Sequence, residues 1–185
     1  MKSKVTFRSC AEHEAPAIVD FLMEIGPELY LTEPTVAEKM VAQLFAQGGV
    51  VAGFAQHDDG ERLVAMLGYF WGDPKNDFAG KDTGFVYVAA IAKAYRHTGA
   101  FRGLMVEGGK VFMANNVQEA RFHAEETNAY TNMIYAKLAD PIKKEKNGRG
   151  ITCILYGNTV ANIFERMQVG RHRQSTQNRA PALIA

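Results

Sequence analysis

Arg96, His97, Thr98 and Gly99 are residue types that can hold an anion, and they stand between two stretches of different pattern. Before them, Phe85 to Ile91 is apolar, β-branched and aromatic, bounded by Thr83-Gly84, as a buried strand would be. After them, Ala100, Phe101, Leu104, Met105 and Val106 recur at helical spacing. A polar, glycine-containing loop that opens a helix presents amides with no intrahelical acceptor at the positive end of the macrodipole, where a phosphate is favoured. The thiols and most of the histidines show no such pattern. Cys10 and Cys153 lie far apart in apolar, strand-like contexts and read as buried free thiols. His13, His57 and His172 fall in expected turns or tails without metal-ligand spacing, so no metal site is expected.

Several elements must position this loop. Lys4 to Ser9 alternates as a first strand. From Ala15, the residues Ile18, Phe21, Leu22 and Ile25 follow a helical period that Gly26-Pro27 should end. Thr35 and Glu38 predict a capping box before Met40, Val41, Leu44 and Phe45, with Gly48-Gly49 closing that helix. Val50 to Ala55 and Leu63 to Trp71 predict a hairpin around His57-Asp58-Asp59-Gly60. Gly72 to Thr83 has no periodicity and reads as a loop, either a substrate lid or a solvated connector. Beyond the anion loop the expected order is a helix to about Asn115, a strand from Ala120 to Glu125 and a helix from Asn128 to Leu138. A charged linker from Pro141 to Arg149, a strand from Gly150 to Tyr156 and a helix from Thr159 to Met167 follow. The tail from Gly170 is polar and basic, either a last strand or a disordered end.

Bulk properties narrow the function classes. A chain of 185 residues that is 47% hydrophobic predicts one domain, 1–170, followed by the tail, 171–185. A net charge of +1 argues against a generic polyanion binder, and the basic tail residues Arg171, His172, Arg173 and Arg179 lack the aromatic interleaving of a nucleic-acid contact. The N-terminal M-K-S-K-V-T-F-R has no apolar core of signal-peptide length, and no apolar run approaches a membrane span. The expectation is a cytoplasmic protein without a membrane partner.

Ile91-Ala92-Lys93-Ala94-Tyr95-Arg96-His97-Thr98-Gly99-Ala100-Phe101 resembles the central motif of the GNAT N-acetyltransferase superfamily, roughly V-x-P-x-Y-R-G-x-G-[IV]-[GA]. Ile91, Tyr95, Arg96 and Gly99 match; Lys93, His97 and Phe101 depart from it. Asn128 to Ala139 is similar to the family's N-x-x-A-x-x-x-Y-x-K-L-G segment, with Asn128, Tyr135, Lys137 and Leu138 in register. Phe164 to Val169 echoes the end of that segment, leaving open a register in which Tyr135 lies in an insertion. The opening K-V-T-F-R-S-C-A-E-H-E resembles the family's first strand-to-helix turn.

The resemblance implies an α/β (α+β) fold whose mixed, mostly antiparallel sheet is flanked by helices and ends in two antiparallel strands. It also implies direct transfer of an acetyl group from acetyl-coenzyme A to a primary amine on a small molecule or peptide. Backbone at Ala89, Ala90 and Ile91 would bind the pantetheine chain. The amides of His97, Thr98, Gly99, Ala100 and Phe101 would take the pyrophosphate, with charge from Arg96. Asn128 would cap its helix and reach the cofactor, and Tyr135 would protonate the departing thiolate. Phe85 to Ile91 holds no carboxylate to act as base. His123, Glu125, Glu126 and Tyr87 are the substitutes, with a histidine best matched to neutral pH. Relatives often form homodimers. The competing expectation is a noncatalytic module of the same fold, favoured by Phe101, by the missing carboxylate and by Ala139-Asp140 where the family has Gly-Phe.

Overall fold

The computed structural model of the chain describes residues 4–58 and 60–167, which form two compact units meeting between Phe122 and His123. In the first unit the strand order is β1 (Val5–Ser9), β2 (Gly48–His57), β3 (Gly60–Asp73), β4 (Ala79–Ile91) and the start of β5 (Glu119–Glu125). The neighbours β1 to β4 pair antiparallel, whereas β4 and β5 run parallel. A parallel neighbour needs a crossover, which α4 (Ala100–Ala114) supplies. The connection from β1 to β2 carries α1 (Ala15–Glu24), α2 (Gly26–Leu29) and α3 (Pro34–Gln47).

The central strands are buried almost continuously, from Val50 to Ala55 and from Val64 to Phe70, because helices cover both faces of the sheet. A Cβ on Gly68 would fall 2.7 Å from Leu44 of α3, whereas the adjacent Leu67 side chain reaches the Gly108 position of α4. Neighbouring strand residues point to opposite faces, so α3 and α4 cover opposite sides. Each helix buries a stripe at helical spacing: Ile18, Phe21 and Leu22 on α1, Ala37, Val41 and Leu44 on α3, and Leu104, Met105 and Phe112 on α4.

In the second unit β5 continues beside β7 (Thr152–Thr159), which pairs antiparallel with β6 (Asp140–Lys146). Between β5 and β6 lies α5 (Ala129–Tyr135), and β7 leads into helical residues 160–167 with Val160, Ile163 and Met167 buried. The whole is a seven-stranded, mixed, mostly antiparallel sheet with flanking helices, as the resemblance implied.

Several elements depart from the sequence reading. Helix α3 starts one residue before Thr35, because Pro34 is preorganised for a first turn and needs no amide partner; Glu33 is the N-cap and makes no side-chain cap bond. Pro27 likewise opens the short α2 rather than only ending α1. The stretch from Gly72 to Thr83 is mostly strand. Asp73 pairs with Ala79 across a turn in which its carboxylate accepts from the Lys75 amide at 2.9 Å and the Asn76 side chain at 3.0 Å. The expected charged linker contains β6, an exposed edge strand whose lysines and leading proline are typical of edges and leave no apolar alternation to read. The antiparallel pair expected at the chain's end is therefore β6 and β7, and it precedes the helical residues 160–167. Helix α5 ends at Tyr135, short of the expected Leu138. The tail from Gly170 lies outside the described residues.

Candidate functional site

In the first unit the ladder between β4 and β5 runs from Thr83–Glu119 to Val86–Phe122 and stops there among the described residues. Tyr87 is the extra residue of an irregularity in the β3 ladder, after which Val88, Ala89, Ala90 and Ile91 pair with Gly68, Leu67, Met66 and Ala65 of β3. Ala89, Ala90 and Ile91 thus carry backbone on a stretch where the β5 ladder has ended.

The chain then turns through a 3-10 segment, Lys93–Tyr95, anchored by the Ala92 amide donating to Val64 O at 2.9 Å. His97 has φ 62° and Gly99 φ 90°, so two left-handed residues flank Thr98. The Thr98 hydroxyl donates to Tyr95 O at 2.5 Å. A Cβ at Gly99 would meet nothing within 4 Å, which leaves open space over the loop. Ala100 and Phe101 begin the 15-residue α4, whose first turn holds no acidic residue. Its free amides and dipole thus face the loop uncompensated by a carboxylate of that turn.

Arg96 and Arg102 stand on either side of Gly99 in the chain. Arg96 donates through Nε to Ile91 O at 3.1 Å and through Nη2 to Glu28 of α2 at 2.5 Å. Arg102 stands in the first turn of α4, an unfavourable place for a cation, and its buried Nε has no hydrogen-bond partner among the described residues. Sequence reading missed Arg102, because nothing in its type or spacing separates it from a solvated surface arginine. It also missed His57, whose Nε2 lies 3.1 Å from the Tyr95 hydroxyl.

In the second unit, Asn128 caps α5 by accepting from the Thr131 amide at 3.0 Å. Asn132 donates to Glu125 O at 2.9 Å and accepts from the Tyr156 hydroxyl at 3.0 Å. Tyr156 meets the Tyr135 ring edge-on at 6.0 Å. Tyr135 is buried, and that burial pushes its phenol up to about 12. Glu125 is ion-paired with Arg149 at 2.8 Å, and Glu126 with Lys144. His123 places Nε2 2.5 Å from Glu145 Oε1 of β6, a partner hidden from sequence reading inside the supposed linker. Among the described residues no group of three His, Cys, Asp or Glu could hold a metal, and no helix is long and apolar enough to cross a membrane.

No protein-family model and no curated protein matches the chain by sequence. Solved structures do match it. A structure assigned to the GNAT acetyltransferase family from Desulfovibrio desulfuricans is 20% identical, with a TM-score of 0.65, covering 85% of this chain and 99% of that one. The ribosomal-protein-S18-alanine N-acetyltransferase of Escherichia coli is 15% identical, with a TM-score of 0.63 over 85% of this chain and 94% of its own. A GCN5-related N-acetyltransferase from Kribbella flavida is 16% identical, with a TM-score of 0.63 over 84% and 97%. The chain has the fold of the GNAT acetyltransferases.

Proposed function

We propose that this protein transfers an acetyl group from acetyl-coenzyme A to a primary amine. The observation that carries the reading is the β4-to-α4 loop. It combines open space over Gly99, two left-handed residues, an α4 first turn without acid, and an orphaned Arg102 Nε. These features suit a diphosphate, with the amides of His97 to Phe101 and the guanidinium of Arg102 as donors. Arg96 joins them by exchanging Glu28 for phosphate. Backbone at Ala89, Ala90 and Ile91 takes the pantetheine amides, in the manner of an added strand. Asn128 caps α5 and contacts the cofactor.

The chemistry asks for a base to take a proton from the acceptor ammonium, an oriented thioester and an acid for the thiolate. His123 and Glu125 are the base candidates and Tyr135 the acid. A phenol pushed up to about 12 stays protonated at working pH and holds a proton to give. The acceptor is a small-molecule or peptide amine, the protein acts in the cytoplasm, and it works as a domain through residue 170, able to form a homodimer.

The test is calorimetric titration with acetyl-coenzyme A of the wild type and of Gly99→Asp, which sets a carboxylate in the open space. Micromolar binding that the variant loses supports the reading. A folded wild type that does not bind sinks it in favour of a noncatalytic module, the reading that Phe101 and the carboxylate-free stretch from Phe85 to Ile91 support.

A further inference from the structure

Tyr87 stands on an inner strand of the sheet, yet it is 51% exposed. It is the extra residue of the irregularity opposite Gly68 and Tyr69, and such a bulge re-aims a side chain. Tyr69 and Trp71 meet Phe112 of α4, so Phe70 between them faces the α3 side. The Tyr87 ring packs on Phe70 at 5.0 Å between centroids, and the Phe78 ring packs on the same Phe70 at 5.2 Å. Phe70 is buried, so Tyr87 and the half-buried Phe78 form the outer surface of this cluster. The turn that delivers Phe78 holds Asp77 at φ 50° and Phe78 at φ 56°. Two successive left-handed residues without a glycine are a strained arrangement, and here it brings an aromatic ring back over the sheet.

We infer that the rings of Tyr87 and Phe78 are the platform that receives the acceptor, and that the acceptor is a monoamine with an aromatic or alkyl body. The inference rests on the transferase reading above and names the substrate class of that site. With the diphosphate at the loop before α4 and the pantetheine amides on Ile91, Ala90 and Ala89, the cofactor runs back along β4. Its thioester end then points towards Tyr87, two residues before Ala89. The loop, β4 and the aromatic cluster all belong to the first unit.

The chemistry of the platform selects against a polycation. Thr83 to Ile91 carries no acidic side chain, and the Asp73 carboxylate is held within its own turn by the Lys75 amide and the Asn76 side chain. An ammonium already stands against the cluster: Lys81 Nζ lies 5.5 Å from the Phe78 ring centroid and donates to Trp71 O at 3.0 Å. A second positive charge on the acceptor would meet Lys81 with no β4 carboxylate to offset it. A monoamine lays its apolar body on the rings and leaves its one nitrogen for the thioester.

The experiment measures thiol release from acetyl-coenzyme A with 2-phenylethylamine, hexylamine, spermidine and free lysine as acceptors, alongside calorimetry of acetyl-coenzyme A binding. The wild type should favour the two monoamines over spermidine and lysine in kcat/KM by roughly 10-fold or more. Tyr87→Ala should raise KM for 2-phenylethylamine roughly 10-fold, change kcat far less and keep acetyl-coenzyme A binding. Tyr87→Phe keeps the ring and should hold that rise to within about 3-fold, which separates the ring from the hydroxyl. Lys81→Gln should raise kcat/KM for spermidine a few-fold, by a factor that shrinks at high salt. Should Tyr87→Ala not fold, Tyr87→Leu, the wild-type preference and Lys81→Gln decide. A KM that Tyr87→Ala leaves unmoved, an equal rise for all four amines, or a Tyr87→Phe as impaired as Tyr87→Ala overturns the inference. So does a wild type that favours spermidine or lysine, or one that binds acetyl-coenzyme A and transfers to none of the four; each of these leaves the cofactor site intact. Absence of acetyl-coenzyme A binding overturns the transferase reading itself, and the platform with it.

Discussion

Arg96 Nη2 sits 2.5 Å from Glu28 Oε2, tying the loop before α4 to the short α2. The pair is partly exposed, so by itself it contributes little to stability, about 0–1 kcal/mol. On the proposed function its effect on anion binding would be larger, because a phosphate would have to compete with Glu28 for the guanidinium. Glu28→Gln should therefore tighten acetyl-coenzyme A binding a few-fold, while Arg96→Gln weakens it, with both differences shrinking at high salt. Calorimetry at two ionic strengths checks this. Equal affinities across the three proteins would move the side-chain charge of the site to Arg102.

Tyr135 offers a second prediction. Its phenol is pushed up to about 12 by burial, so the alkaline limb of the rate profile should not arise from it below about pH 11. If Tyr135 is the acid, Tyr135→Phe lowers kcat roughly 10²-fold and leaves acetyl-coenzyme A affinity unchanged. A variant that melts early yet turns over normally would make Tyr135 a packing residue against Tyr156.

The close approach of α4 to the sheet can be tested at Gly84. A Cβ there would lie 2.4 Å from the ring of Phe112, which is buried against Tyr69 and Trp71. Gly84→Ala should cost about 1–3 kcal/mol through overpacking. Combining it with Phe112→Leu should give a smaller loss than the sum of the two changes, measured by denaturant unfolding.

Acid sensitivity should be visible at Glu14. The Arg8 guanidinium grips this carboxylate at 2.8 and 2.9 Å and, with the Ala11 amide, lowers it from its ordinary 4.5 to about 2. A depressed carboxylate stabilises the fold above its unfolded value and loses that contribution as pH falls from about 4.5 towards 2. Arg8 is exposed, so Glu14→Gln should cost only about 0.5–1 kcal/mol at pH 7. The gap to wild type should close by pH 2, and a gap independent of pH would refute the electrostatic origin.

Local sequence determined much of this protein. The apolar run from Phe85 to Ile91, the left-handed Gly60 that opens β3 and the stripes of α1, α3 and α4 specify their elements, because burial on one face and a left-handed glycine are written in neighbouring residues. The break between β4 and α4 at Arg96 to Gly99 was legible for the same reason: strand, glycine and helix are contiguous. Tertiary structure decided what depends on pairing at a distance. Asp140–Lys146 becomes a strand only because β7 supplies hydrogen bonds to an edge that buries no apolar side chain, so no periodicity marks it. Glu145 meets His123 across an intervening strand and 22 residues of chain. Glu28 finds Arg96 68 residues away. Such partners are set by sheet order and helix placement, which local composition does not encode.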